Sequence, residues 1–341
     1  MATILFAPNI HTGGGRVLLE ALSAASAGRI DQAIIDCRMQ AISAAFASET
    51  TLLVRNRIGS RLYAEWHLWR SAREGDTVLC MHSLPPLFAL RARVVVLIQN
   101  RLLLERGRLT TYPWKTRLRI SIERLWARHL QSHCNRYLVQ TPSMGEILSS
   151  WLRRPVPVVV VPFAQQSLHE GPRPDSAASK QFDFVYIASG EPHKNHYRLL
   201  RAWCVLADAG RWPKLALTVD PQQYPTLARD IENHVFQHGL NIVNLGLLSA
   251  TEVRCLYRTS AALVYPSLVE SFGLPLIEAA QHGLPIIAAE LDYVRDVASP
   301  TQTFDARSSV SIARALRRFL GQADPPLQVY SASQFLEKAL R

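Results

Sequence analysis

The sequence has few cysteines and lacks any long run of apolar residues. Its five cysteines form no Cys-x-x-Cys pair, which argues against a structural zinc site. Because their number is odd, they cannot all pair in disulfides, so we expect a reduced, cytoplasmic compartment. No window of about eighteen consecutive apolar residues occurs, and no basic stretch precedes the apolar run at 2–7. We therefore expect neither a membrane-spanning helix nor a signal peptide.

Acidic residues are fewer than basic ones, so the chain carries a formal net charge of +11. Apolar residues make up 48 % and charged residues 19 % of its 341 positions, which suffices for about two globular cores and excludes a disordered chain. Much of the positive charge lies between Arg91 and Arg136, where eleven Lys and Arg accompany two glutamates. Such a cluster favours a phosphate-bearing partner, which can be nucleic acid, anionic lipid or a pyrophosphate-linked substrate.

Short apolar runs alternate with helical periodicity along the chain, which predicts an α/β protein with two Rossmann-like halves. The first half covers residues 1–163 and the second covers 182–320. Between them, residues 164–181 are polar, contain two prolines and are predicted to form a linker. We expect the remaining tail, 321–341, to pack back on the first half. In such folds the ligand binds at the carboxyl ends of the strands, here in the cleft between the halves.

The most informative segment is ESFGLPLIE, which runs from Glu270 to Glu278 and follows the strand-like AALVYPS. Gly273 permits close approach of a ligand, and Pro275 suits the first turn of a helix, where its missing N–H group costs nothing. The free N–H groups of that turn favour an anion such as a diphosphate. The two carboxylates would then accept hydrogen bonds from sugar and ribose hydroxyls. The alternative is a helix cap at Glu270 and a solvated helix residue at Glu278.

The longer segment YPSLVESFGLPLIEAAQHGLPIIA resembles the E-x7-E motif of retaining glycosyltransferases of family 4, which are of the group 1 type and have the two-domain GT-B fold. The resemblance covers about 182–320, whereas the first half matches only in layout. It implies that a sugar leaves a nucleotide diphosphate donor, with Glu270 as the catalytic carboxylate beside the sugar and Glu278 on the ribose. It also implies that no metal or other cofactor is needed. The other residues of the motif that would line the donor site are Ser271, Phe272, Gly273 and Leu274.

A second motif, YIASGEPHKN, ends a predicted strand and opens a helix. A lysine at a helix start opposes the helix dipole unless an anion compensates it, so Lys194 favours a phosphate partner. In the family, this place resembles the Gly-Arg…Lys element that binds the diphosphate. Lys194 matches the lysine, whereas Ser189 occupies the arginine position. We therefore predict that Lys194, Ser189 and Gly190 bind the donor and that Arg16 is a candidate for the missing cation.

Two features of the first half are candidates for the same cleft. A glycine-rich loop before Arg16 can let the main chain approach a substrate, or it can be a purely structural turn; its residues are Gly13, Gly14 and Gly15. His82 follows the predicted strand 77–81, and family members often place a histidine from this half against the donor sugar. We predict a catalytic role for His82, with an ordinary structural histidine as the alternative.

The basic stretch 115–128 has helical spacing, with apolar residues including Leu118 and Trp126 on one face and arginines on another. This pattern is typical of a helix that lies on an anionic membrane, and the alternative is a domain helix with a solvated basic face. We predict attachment to the inner face of the plasma membrane. The predicted patch that would also present the acceptor consists of Arg117, Arg124, Trp126 and Arg128.

The sequence as a whole predicts a retaining hexosyltransferase that uses a UDP- or GDP-sugar. The expected acceptor is a lipid-pyrophosphate-linked glycan in the synthesis of O-antigen, capsule or exopolysaccharide. An enzyme of the same fold with a soluble acceptor, either a sugar-phosphate synthase or a nucleotide-sugar epimerase, is the alternative. A nucleic-acid-binding or scaffold protein is less favoured because the basic stretch lacks interleaved surface aromatics. We therefore expect no nucleic-acid partner.

Overall fold

The computed structural model describes residues 1–26, 28–46, 50–104, 109–164 and 180–322. These residues form two parallel β-sheets flanked by helices, as the alternation of apolar runs predicts. Most of the predicted linker lies outside the described residues. So does the tail from residue 323, and with it the expected packing of that tail on the first half. In the described part of the chain, no helix is both long and apolar enough to span a membrane.

The first domain contains a seven-stranded sheet in the order β3-β2-β1-β4-β5-β6-β7. Its strands are β1 (Thr3–Ala7), β2 (Gln32–Asp36), β3 (Thr51–Val54), β4 (Thr77–Cys80), β5 (Arg93–Leu97), β6 (Arg136–Val139) and β7 (Val158–Val160). Its helices are α1 (Gly13–Ala25), α2 (Ile58–Ser71), α3 (Trp114–His129) and α4 (Pro142–Trp151). The connection through α1 crosses the sheet in one direction and the other three cross in the opposite direction. Because such crossovers are right-handed, α1 covers one face of the sheet and α2, α3 and α4 cover the other.

The second domain contains a six-stranded sheet in the order β10-β9-β8-β11-β12-β13. Its strands are β8 (Phe182–Tyr186), β9 (Leu215–Leu217), β10 (Ile242–Asn244), β11 (Ser260–Tyr265), β12 (Ile286–Ala289) and β13 (Gln302–Phe304). Its helices are α5 (His196–Asp208), α6 (Pro225–His238), α7 (Ala250–Thr259), α8 (Leu274–Gln281), α9 (Asp292–Arg295) and α10 (Ser309–Phe319). Helix α7 begins with a capping box, in which Ser249 and Glu252 each bond the other's backbone N–H.

The loop between β11 and α8 packs against the first domain. Phe272 and Leu274 belong to the same buried apolar cluster as Leu18 of α1 and Leu97 of β5. The loop also bonds the first sheet directly, because the backbone N–H of Arg101 donates to Ser271 Oγ at 2.9 Å. The carboxyl ends of the two sheets therefore face one cleft, and this loop lies within it.

The glycine-rich run differs from its prediction as a loop. Helix α1 begins at Gly13 rather than at Arg16, so the three glycines form its first turn. A Cβ on Gly14 would lie 3.2 Å from Cδ1 of Leu274 in the other domain. A Cβ on Gly15 would lie 3.3 Å from Oε1 of Gln99. Gly14 thus allows close packing of the α1 N-terminus against the second domain, and Gly15 allows close packing within the first.

Helix α2 is fixed to the loop after β4 by the buried side chain of Glu65. Its Oε2 accepts a hydrogen bond from the backbone N–H of Leu87 at 2.9 Å. Burial raises the pKa of this carboxyl to about 7, against the opposing effects of the Leu87 hydrogen bond and of Arg61. A carboxyl whose pKa is higher in the folded than in the unfolded state makes the fold less stable as the pH rises between the two values.

Glu65→Gln is therefore expected to remove a pH dependence of stability. Between about pH 5 and about pH 8, the wild-type chain should lose about 2 kcal/mol of unfolding free energy relative to the variant, because only the wild type must ionise a buried carboxyl. The amide oxygen of the variant can still accept the Leu87 hydrogen bond. Urea unfolding of both proteins at the two pH values measures the difference, and parallel profiles would contradict the assignment to Glu65.

Candidate active site

The carboxylate of Glu270 is held by three donors at the carboxyl edge of the second sheet. Its Oε1 accepts hydrogen bonds from Lys194 Nζ at 2.6 Å, from Ser267 Oγ at 2.6 Å and from the hydroxyl of Tyr265 at 3.0 Å. The side chain of Glu270 is 11 % exposed and that of Lys194 is 15 % exposed. Glu270 and Lys194, predicted from separate motifs, therefore meet as a largely buried ion pair.

The turn after β8 explains how Lys194 reaches this position. Residues Pro192–Lys194 form a single 3₁₀ turn, and Asn195 then adopts a left-handed conformation with φ of 65°. The side-chain amide of Asn195 donates to the backbone oxygens of Pro266 at 3.0 Å and Ala306 at 2.8 Å, which ties the turn to the end of β11. The Tyr186 hydroxyl donates to the Lys194 carbonyl at 2.7 Å. The lysine is thus placed by buried polar contacts rather than by a flexible loop.

Lys194 was predicted to favour a phosphate partner because it lies at the start of a helix, and this reason needs correction. The lysine precedes helix α5 instead of lying in its first turn, and Asn195 stands between them. Its charge is compensated by Glu270 within the protein. The position of Lys194 in the sequence therefore does not by itself require an external anion, and a phosphate group must be favoured by the surroundings of the ion pair.

Those surroundings include the N-terminus of α8. Gly273 has φ of 73°, and a Cβ there would approach Cδ1 of Leu276 to 3.0 Å, so glycine is required at this turn. Pro275 stands in the first turn, as the sequence predicts. Pro275 has no N–H group and the Leu276 N–H donates to the Gly273 carbonyl at 2.9 Å, so the Leu274 N–H and the positive end of the helix dipole are what make this end favourable to an anion. Glu270 lies three residues before Gly273, the N-cap of α8.

Glu278 lies on α8 and contacts the neighbouring helix α7 of the same domain. Its Oε2 accepts a hydrogen bond from the hydroxyl of Tyr257 at 2.9 Å, and the ring of His282 packs on Tyr257 with centroids 5.3 Å apart. Burial raises the pKa of the Glu278 carboxyl, while the Tyr257 hydrogen bond opposes that rise. The carboxylate is therefore oriented from below by a buried tyrosine, which the sequence analysis did not identify.

Glu191 is a third carboxylate near Lys194 and was not predicted from the sequence. It accepts hydrogen bonds from Ser189 and from the hydroxyl of Tyr224, the latter at 2.7 Å. Burial disfavours its charge, but these hydrogen bonds outweigh burial and hold the pKa of Glu191 below its usual value. Ser189, predicted to stand where the family has an arginine, thus orients a carboxylate.

Gly190 lies directly under the ring of Tyr224. A Cβ at this position would collide with Cγ of Tyr224 and lie 2.8 Å from its Cβ, so the ring and its backbone would have to shift. Gly190→Ala is expected to destabilise the chain by about 1–3 kcal/mol. Gly59 in α2 is a matched control, because a Cβ there meets nothing within 4 Å and Ala should stabilise the helix by up to about 1 kcal/mol. Chemical unfolding compares the two, and equal effects would contradict the packing argument.

His82 and Arg16, the two predicted site residues of the first domain with polar side chains, have different surroundings. His82 follows β4, and its ring stands edge-on to Phe6 with centroids 5.1 Å apart. Burial, aided by the charge of Arg61, lowers the pKa of His82 to about 4, so the ring is neutral at neutral pH. Arg16 pairs with Glu20 one turn along its own helix, Nε to Oε1 at 2.7 Å. The structure thus brings Gly14 to Leu274, the first residue of α8, whereas the ring contact of His82 and the ion pair of Arg16 lie within the first domain.

The predicted membrane patch needs a second correction. Trp126 Nε1 donates to the Pro85 carbonyl at 2.9 Å, and Arg124 Nε donates to the Leu102 carbonyl at 2.9 Å. Both side chains are half-buried and make contacts inside the first domain. Of the four predicted patch residues, Arg117 is exposed and Arg128 is half-buried.

The family is decided by the second half of the chain. Residues 172–333 match the family model described as Glycosyl transferases group 1. This half is a group 1 glycosyltransferase domain. The domain contains Lys194, Glu270 and Glu278, so the predicted assignment to the group 1 type is confirmed. Membership of family 4 stays a prediction.

Curated relatives match part of this chain. The serotype-specific mannosyltransferase WbdA of Escherichia coli is 25 % identical over 219 residues, which cover 58 % of this chain and 26 % of WbdA. The O-antigen chain mannosyltransferase RfbU of Salmonella typhimurium is 28 % identical over 120 residues, which cover 35 % of this chain and 32 % of RfbU. The chain therefore spans only about a quarter to a third of the curated relatives it matches.

Solved structures extend the likeness to both domains. The crystal structure of HepE from Anabaena in complex with UDP and glucose superposes with a TM-score of 0.65 at 14 % sequence identity, and the match covers 94 % of this chain and 90 % of HepE. At this identity the likeness concerns the fold. The two domains form the GT-B fold, as the group 1 resemblance implied.

Proposed function

We propose that the chain is a retaining glycosyltransferase that transfers a hexose from a nucleotide diphosphate donor. The observation that carries this proposal is the Lys194–Glu270 ion pair beside the N-terminus of α8, within the cleft between the two domains. A cation and a helix N-terminus attract a diphosphate, while a fixed carboxylate orients sugar hydroxyls. The group 1 domain supports the same reading.

Each group has a distinct task in the proposed reaction. The positive N-terminal end of α8, with the Leu274 N–H, and Lys194 bind the diphosphate. Lys194 can do so because an ammonium has three donors and only one is bonded to Glu270. The same groups stabilise the charge that grows on the departing diphosphate. Glu270 orients the sugar, and Glu278 accepts hydrogen bonds from the ribose.

The bonds that break and form in the proposed transfer can all change within this one cleft. The bond from the anomeric carbon to the diphosphate oxygen breaks, and a bond to the acceptor oxygen forms on the same face. The acceptor proton passes to the departing phosphate oxygen. The anomeric configuration is thereby retained without a covalent sugar–enzyme intermediate, for which a retaining hydrolase uses two carboxyl groups about 5 Å apart across the sugar.

We further propose that the acceptor is a lipid-pyrophosphate-linked glycan in surface polysaccharide synthesis. Support comes from two of the relatives. WbdA is a serotype-specific mannosyltransferase, and RfbU is an O-antigen chain mannosyltransferase. It comes also from the basic charge of the first domain, which suits a pyrophosphate.

The anomeric configuration of the product tests the proposal. The chain is incubated with UDP- and GDP-hexoses and a short acceptor analogue that carries a pyrophosphate, and the new linkage is assigned by NMR. A product with the configuration of the donor supports retention. An inverted product would overturn the proposed stereochemistry, and free sugar as the only product would point to hydrolysis instead of transfer.

We also propose that the reaction needs no divalent metal, because Lys194 and the α8 N-terminus supply the positive charge. Transfer in a chelating buffer is expected to match transfer in buffer with magnesium within about twofold. Activity that disappears with the chelator and returns with magnesium or manganese would show that these groups do not neutralise the diphosphate on their own.

A further inference from the structure

Two neighbouring helices of the first domain expose apolar stripes of the same spacing. Each stripe follows the pattern i, i+4, i+8 and i+11, which keeps four side chains on one side of a helix. The side chains are 43–81 % exposed. They are Ile58, Leu62, Trp66 and Trp69 on α2, and Trp114, Leu118, Ile122 and Leu125 on α3. Contiguous apolar surface of this kind marks a contact face, unlike single scattered apolar residues.

The two stripes belong to one surface. Helices α2 and α3 cover the same face of the first sheet, and the loop 83–92 lies between them. Glu65 of α2 holds this loop through the hydrogen bond described above, and Trp126 of α3 holds it at Pro85. Phe88 of the same loop is exposed and packs on Trp69 with ring centroids 6.2 Å apart. We call the eight stripe residues and Phe88 the two-helix face.

The charges around the two-helix face are positive. Each helix contains a single carboxylate, Glu65 in α2 and Glu123 in α3, and burial raises the pKa of both. Cations lie beside tryptophans of both stripes: Arg70 Cζ is 5.7 Å from the ring of Trp66, and Lys115 Nζ is 5.8 Å from the ring of Trp114. Further exposed cations on α3 are Arg117 and Arg119.

We propose that the two-helix face docks on an anionic lipid bilayer. Tryptophan and aliphatic side chains enter the headgroup region, and the surrounding cations contact lipid phosphates. Charge complementarity favours this occupant over a second copy of the chain, because two copies joined here would bring like charges together. The face replaces the patch predicted from sequence, whose Arg124 and Trp126 bind inward.

The two-helix face lies beside the candidate active site. Both helices begin at the carboxyl edge of the first sheet, where the cleft opens. Tyr112, two residues before α3, bonds His193 Nδ1 at 2.9 Å, and His193 is the neighbour of Lys194. A substrate anchored in the bilayer under the face would therefore present its headgroup near the cleft. The docking itself does not depend on sugar transfer.

Vesicle flotation tests the proposal with matched variants. The vesicles are neutral phosphatidylcholine, alone or with about one lipid in three replaced by phosphatidylglycerol. One variant combines Trp66→Ser and Trp114→Ser, and its control combines Trp212→Ser and Phe236→Ser, exposed aromatics of the second domain. The charge variant replaces Lys115, Arg117 and Arg119 by Gln, and its control replaces Arg201, Arg211 and Arg229, exposed cations of the second domain.

The wild-type chain is expected to float with the anionic vesicles only and to be released by salt. The tryptophan variant should bind at least about tenfold more weakly, and the charge variant on the order of a hundredfold, because each cation near the surface contributes about fivefold. Both controls should bind like the wild type. Absence of wild-type flotation, or equal binding of variants and controls, would overturn the proposal. A wild-type dimer that the tryptophan variant abolishes in sedimentation would overturn it in favour of a second copy.

Discussion

Glu270→Gln is expected to lower kcat by about two to three orders of magnitude while leaving nucleotide diphosphate binding intact. The amide is isosteric and can still accept hydrogen bonds from Ser267 and Tyr265, so the loop keeps its shape. The charge that orients the sugar is lost. Lys194, freed from its 2.6 Å ion pair, becomes more available to phosphate, so donor affinity should stay the same or rise. Steady-state kinetics and calorimetric titration with the diphosphate measure the two effects separately.

Glu290→Gln is the matched control for this experiment. Glu290 also forms an ion pair within the second domain, with Arg295 at 2.6 Å, but both side chains are about half exposed. An exposed pair contributes little to stability, so this variant should transfer sugar at the wild-type rate. A Glu270→Gln enzyme that keeps more than about a tenth of the wild-type kcat would be incompatible with the role given to the carboxylate.

Lys194→Met is expected to weaken nucleotide diphosphate binding by about ten- to hundredfold, because a hydrogen bond from a charged group to phosphate contributes about 1.5–3 kcal/mol. Binding of the corresponding nucleoside, which has no phosphate, should not change. This difference separates a lost phosphate contact from a general disturbance of the site. Calorimetric titration of both ligands gives the two affinities.

Lys194→Met also leaves the Glu270 carboxylate without its cation, so some loss of stability is expected. Lys214→Met is a matched control, since Lys214 Nζ lies 4.8 Å from the ring of Phe182 in the same domain. That variant should lose stability without losing diphosphate affinity. Equal losses of diphosphate affinity in the two variants would remove the case for Lys194 as a phosphate ligand.

The central strands of both sheets and the edge strands β7 and β10 could be predicted from sequence, whereas the edge strands β3 and β13 could not. After a first polar residue, strands β1 and β11 are continuous apolar runs, because helices cover both faces of a parallel sheet. The missed strands β3 and β13 lie at the outer edges of their sheets, and most of their side chains are only half-buried. An edge strand needs less apolar surface, so its sequence signal is weak.

Lys194, Glu270 and Glu278 of the candidate site could be named from sequence, but their contacts could not, and neither could Glu191 or Tyr257. The two motifs place Lys194 after β8 and Glu270 after β11, and those strands are neighbours in the sheet. Sequence periodicity does not specify strand order, so the ion pair between Lys194 and Glu270, which are 76 positions apart in the sequence, could not be predicted. The donors Ser267 and Tyr265 stand inside the quoted motif, and their position at a strand end was the available signal.

Nucleotide-sugar binding to the wild-type chain and to Lys194→Met tests the central claim most directly. Thermal unfolding is followed with a panel of UDP-, GDP- and dTDP-sugars. One nucleotide class at about 100 times its dissociation constant should stabilise the wild type by about 2.7 kcal/mol, and the same concentration should stabilise the Lys194→Met chain far less. Failure of every nucleotide sugar to stabilise the wild-type chain, or equal stabilisation of both chains, would contradict a donor site built on the Lys194–Glu270 pair.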